Sequence, residues 1–210
     1  MSAIGAGSQG LWFVSRASGL AVLASFSAVM VLGVAQRLGS APRRWPRFAV
    51  AELHRTLALF SVAFLALHVM TAILDPYVSI GWAATVLPFA SGYRTLAVGL
   101  GTLAVDFGGA VLLTSLARVR LGWRAWRAVH WLAYVAWPVA FVHALTAGND
   151  LRIWWVALAV WGSAVAVATA AVARLLEAIR PGTRSGRPTE GPAATSGQVM
   201  REATPGHARS

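Results

Sequence analysis

Five apolar runs, each near the ~20 residues needed to cross a hydrocarbon core, limit this chain to a bundle of membrane helices. They cover residues 17–35, 51–74, 95–117, 128–147 and 153–173. A backbone inside lipid must satisfy its own polar groups, so runs of this kind become helices. With 57% hydrophobic residues and only 12% charged, the composition is too apolar for a soluble domain. The expected fold is therefore an all-α integral membrane protein, a bundle of five, or alternatively six, transmembrane helices. No basic n-region precedes a short apolar core and no A-x-A site follows one, so the first run is expected to be an ordinary span.

The net charge of +11 suggests a nucleic-acid partner until its placement is followed. Every base is arginine. Taken loop by loop, fifteen arginines fall on one set of alternate connections and three on the other. Positive charge is retained in the cytoplasm, so the pattern puts the N-terminus outside and the C-terminus inside. The charge encodes topology, and no nucleic-acid partner is expected. Cysteine is absent, which excludes disulfides, thiolate nucleophiles and cysteine-ligated iron–sulfur clusters.

Residues 1–10 are small and polar and read as a loose N-terminus. The segment 75–94, DPYVSIGWAATVLPFASGYR, is half apolar with four aromatic rings, and suits a short interfacial helix capping the bundle. Residues 180–210 are rich in Pro, Gly, Ser and Thr and are expected to form a disordered cytoplasmic tail.

The chemistry lies in the histidines. His54 and His68 are on the second run, His130 and His143 on the fourth, and only His207 is elsewhere. The second and fourth runs cross in the same direction, so His54 matches His130 near the inner face and His68 matches His143 further out. The separations of 14 and 13 residues correspond to about 20 Å of helical rise. Neutral imidazole is a good axial ligand for haem iron, and facing helices can clamp a macrocycle between two of them. Two matched pairs would hold two stacked b-type haems between the second and fourth runs. Haem propionates are anionic and attract arginine. Arg55, Arg124 and Arg127 suit the inner haem, and Arg94 or Arg152 the outer one. The plainer reading, that each histidine hydrogen-bonds across to a neighbouring helix, accounts poorly for four of them at two matched depths.

At about 100° per residue, 13 positions return to a different face, so a straight fourth helix would aim His130 and His143 apart. Pro138 lies between them and is expected to distort the helix. Asp106, beside Gly108 and Gly109 in the third run, suits a proton relay, an arginine partner or a packing hydrogen bond. Gly99 and Gly101 thin the same run, which allows close approach of a helix or a haem edge. Trp45, Trp123, Trp126 and Trp154 suit the aromatic belts, and Trp131 and Trp137 either pack near haem or belong to belt and core.

The segments LHRTLALFSVAFLALHVM, LPFASGYRTLAVGLGTLA and TSLARVRLGWRAWRAVHWLAYVAWPVAFVHAL resemble the ferric reductase-like transmembrane domain. That domain occurs in ferric reductases, NADPH oxidases and the haem-binding subunit of the bacterial methionine sulfoxide reductase system. The resemblance covers about residues 11–173. It implies haem b, two per chain, with His54 and His130 as metal ligands of the inner haem and His68 and His143 of the outer. It also implies electron transport in a bacterial-type plasma membrane. Longer members have six spans and a cytoplasmic flavin- and nicotinamide-binding module. Here the tail holds no G-x-G-x-x-G after a strand, so a separate flavin or reductase protein is the expected donor, with an acceptor at the outer face. A haem-binding anchor subunit of a partner reductase is the alternative, and a non-redox transporter or sensor a third reading.

Overall fold

The computed structural model describes residues 3–39, 46–76, 78, 80–148 and 150–179. Six helices follow in order: α1 (Ala3–Leu38), α2 (Arg47–Leu74), α3 (Thr95–Leu116), α4 (Arg118–His130), α5 (Ala133–Ala147) and α6 (Trp154–Ile179). Among the described residues there is no strand. The chain is an all-helical, multi-pass membrane protein.

Local chemistry sets the ends. Pro46, extended at φ −67° and ψ 144°, precedes the first residue of α2. At the other end α2 stops at Leu74, and Pro76 disfavours helical backbone at the residue before it. Within the helices the hydroxyls of Ser18, Ser27, Thr71 and Thr114 return to carbonyls one turn earlier, so these polar groups need no water.

α1, α2, α3 and α6 are each long and apolar enough to cross a bilayer. The fourth run of the sequence is not one straight helix. α4 and α5 meet at Trp131 and Leu132 with a bend of 44°, and the bent pair taken together gives a fifth span. The expected distortion between His130 and His143 is thus present, but six residues before Pro138, which sits inside regular α5. Tyr134 and Val135 donate to Trp131 and Leu132, three residues back, so the bend is a tightened turn. α4 is itself interrupted at Gly122, whose φ of 74° and ψ of 162° only glycine adopts freely.

The helix α1 begins at Ala3, within the stretch read as loose; no proline interrupts its run into the apolar Leu11–Val14. The tail 180–210 lies outside the described residues.

α1 is the hub of the packing. α2 and α6 lie along it, α5 touches it, and α3 pairs with α5. α2 packs closely on α1 alone among the described helices. One buried cluster joins Met30, Trp137 and Val167, with Phe26 and Phe141 packed against them. Trp137 donates its indole N–H to buried Ser27 Oγ at 2.9 Å. Large apolar side chains such as Leu59, Phe60, Leu158 and Val165 point outward, as lipid-facing surface does.

The capping turn expected after α2 is present as a 3-10 helix over Trp82–Thr85. Thr102 of α3 donates to its Ala84 carbonyl at 2.6 Å. Phe89, at φ 65°, lays its ring on Gly99, where a Cβ would come within 2.2 Å of the ring. The connection is therefore fastened to α3.

Candidate haem-binding site

Three of the four membrane histidines are held by the same arrangement. His68 on α2 donates from Nδ1 to the Ser15 carbonyl of α1 at 2.8 Å, and its ring lies against Gly19. His54 donates to the Val29 carbonyl at 3.1 Å and lies against Gly33. His143 on α5 donates to the Ala97 carbonyl of α3 at 2.7 Å and lies against Gly101. In every case the glycine follows the accepting carbonyl by four residues, one helical turn on the same face. A Cβ at Gly19 would stand 2.9 Å from the His68 ring, and one at Gly101 only 2.7 Å from that of His143. At Gly33 the distance to the His54 ring would be 3.4 Å. The missing side chain lets the imidazole reach the carbonyl.

The bond also fixes the tautomer. A carbonyl only accepts, so Nδ1 carries the proton and Nε2 keeps its lone pair. An imidazole whose far nitrogen donates to a carbonyl is oriented and made more basic as a metal ligand.

His68 and His143 come together across the bundle, with ring centroids 6.2 Å apart and planes at 76°. Two imidazoles on one metal, with bonds of about 2 Å and a ring radius of about 1.1 Å, put their centroids about 6 Å apart. The observed spacing fits a shared iron. His54 and His130 line the same cavity. His130 differs from the other three: its Nδ1 is buried and has no hydrogen-bond partner. Its ring stacks on Trp126 at 4.8 Å, and Arg118 lies over the other ring system at 5.6 Å.

The cavity has a volume of 1540 Å³ and is lined by all four histidines. Pockets for single drug-sized ligands hold about 300–1,000 Å³, so this one has room for more than one large group. Of the arginines named from sequence, Arg55, Arg94 and Arg127 line it, and Arg94 donates to the Ala147 carbonyl at 3.1 Å. Arg124 and Arg152 are exposed and do not line it, nor does half-buried Asp106. Among the described residues no group of three or more His, Asp or Glu side chains forms a compact metal cluster. Paired imidazoles, a large apolar cavity and flanking guanidiniums fit haem better than a bare ion.

Sequence reasoning passed over several residues. Arg16, read only as a topology charge, lines the cavity with His68 and His143 and pairs with Asp150 at 3.1 Å. Arg174 also lines it, over the rings of Trp131 at 5.0 Å and Tyr134 at 5.7 Å. Gly19 and Gly33 carried a usable signal, since they are as far apart in α1 as His54 and His68 are in α2.

The family described as Ferric reductase like transmembrane component matches residues 18–141, more than half of the chain. The match includes His54, His68 and His130 and ends two residues before His143. No curated protein and no solved structure matches the chain.

Proposed function

We propose, from the premise that this chain belongs to the ferric reductase-like transmembrane family, that it conducts single electrons across a bilayer through two b-type haems. The observation that carries the reading is the His68–His143 pair, 6.2 Å between ring centroids with both Nδ1 atoms bonded to carbonyls. His68 and His143 are the proposed ligands of the outer haem, and His54 and His130 those of the inner. Bound haem would supply a one-electron carrier whose potential the protein tunes.

The rest of the work belongs to the chain. Carbonyls of Ser15, Val29 and Ala97 hold three imidazoles that line the cavity, each with its Nε2 lone pair left for a metal. Arg55 and Arg127 at one end, and Arg16 and Arg94 at the other, offer guanidiniums to anionic propionates. The largely apolar lining would lower the dielectric around a bound iron, which is one lever on its potential. The electron donor is proposed to be a separate flavin or reductase protein on the cytoplasmic side, with the acceptor at the outer face.

Purified protein, expressed with ample haem, is expected to give a bis-histidine b-type reduced-minus-oxidised spectrum and about two haems per chain. Colourless protein under those conditions removes the proposal. The orientation is tested separately: a reporter fused after Arg180 is expected to be active in the cytoplasm. Activity outside instead would exchange the inner and outer assignments of both pairs together.

A further inference from the structure

The repeat that holds three histidines fails at the fourth, and the reason is visible on α3. On α1 the two accepting carbonyls, Ser15 and Val29, are spaced as His68 and His54 are on α2. His143 uses Ala97 and Gly101 of α3. Carrying that spacing along α3 toward His130 leads to the Ala110 or Val111 carbonyl, with Thr114 or Ser115 where the glycine would stand. Both carbonyls already accept a side-chain hydroxyl from the same helix. Thr114 Oγ1 donates to Ala110 at 2.7 Å and Ser115 Oγ to Val111 at 2.6 Å. Ser115 Oγ also accepts the indole N–H of Trp126 at 3.2 Å, and it is Trp126 that stacks on His130. Hydroxyl-bearing side chains thus stand where the other three imidazoles meet glycine, and His130 Nδ1 is buried with no partner.

His130 is also the histidine on the least continuous backbone. It is the last residue of α4, after the break at Gly122 and before the bend at Trp131 and Leu132. A stack on Trp126 restrains the plane of its ring but supplies no hydrogen bond to Nδ1. Without that bond the imidazole is less basic and its direction is not pinned.

We propose that His130 is an exchangeable ligand, and that its side of the inner haem seat accepts a small neutral molecule, a diatomic gas or a free nitrogen base, in its place. This rests on the haem reading above. The other three histidines, clamped by carbonyls, do not exchange.

Carbon monoxide added to the reduced, haem-loaded full chain tests it, read as the shift of the Soret band against haem counted by pyridine extraction. About half of the haem is expected to bind carbon monoxide. In His143→Ala, which retains the inner haem, essentially all of what remains is expected to bind it. Ser115→Gly removes the shorter of the two hydroxyl bonds on the Val111 carbonyl, leaving that of Thr114 at 3.2 Å, and opens the groove; it is expected to weaken carbon monoxide binding about tenfold at unchanged haem content. Two results overturn the proposal: no binding by wild type carrying two haems, or a reactive half that is lost with His143→Ala. Haem content is read first, because a chain that takes up no haem sinks the functional reading itself and is recognised before any gas is added.

Discussion

Alanine at His68 and alanine at His143 are each expected to remove the same haem, lowering content from about two per chain to about one and leaving the same residual spectrum. The two side chains come from helices that do not pack on one another, α2 and α5, yet their rings meet at 6.2 Å. Neither can be replaced by the other histidine of its own apolar run, because 14 residues of helix, or 13 of largely helical chain, amount to about 20 Å of rise. A macrocycle ligated on both faces does not bridge that depth. Loss of one ligand also leaves the partner imidazole buried in an apolar cavity, so lower yield is expected and haem must be normalised to protein. The measurement is haem per chain with the reduced-minus-oxidised spectrum of each variant. If His68→Ala instead removed the signal lost in His130→Ala, the pairing by depth would be wrong.

Substitution of the three cradle glycines by alanine is expected to rank as the distances do. At Gly101 the new Cβ would lie 2.7 and 2.8 Å from two atoms of the His143 ring, and at Gly19 2.9 and 3.0 Å from two atoms of His68. Either ring would have to leave its carbonyl to make room. Overpacking of this kind costs roughly 1–3 kcal/mol, and here it acts on the group that orients a ligand. Gly101→Ala and Gly19→Ala are expected to lose most of the outer haem. At Gly33 the nearest atom of His54 is 3.4 Å away, so Gly33→Ala is expected to keep both haems with at most a shifted potential. Haem per chain after identical loading, with potentials from a redox titration, checks the order. Equal losses at all three positions would mean that the glycines serve helix packing generally and not the imidazoles.

Much of this architecture is legible in the residues, and what is not has definite causes. Hydropathy located every long helix because lipid demands a full-length apolar run, and His54, His68, His130 and His143 stood out as polar groups where polar groups are costly. The bend before α5 was foreseen from Pro138 but lies at Trp131 and Leu132. There the chain turns from the exposed, arginine-rich α4 into the apolar α5, and a proline in regular helix does not by itself fix where a break falls. The carbonyl partners of the histidines were illegible. They are backbone atoms on other helices, chosen by interhelical register, which no local pattern encodes. Arg16 was misjudged for a related reason: a charge at the end of a span looks the same in sequence whether it faces headgroups or, as here, a cavity.

Because α2 packs closely only on α1 among the described helices, while the histidines proposed to face its own are carried by α4 and α5, the seat is divided in time as well as in space. A ribosome finishes His68 more than seventy residues before His143. The first two helices can leave the insertion machinery as a hairpin with two histidines already clamped to α1 and nothing opposite them. Delivery of the proposed haem would then be a late event in biogenesis, after α5 enters the bilayer. If the seat binds haem as proposed, shortage of haem is expected to leave the completed bundle with an unfilled seat open to quality-control proteolysis, so that haem supply would set how much of this protein a cell accumulates.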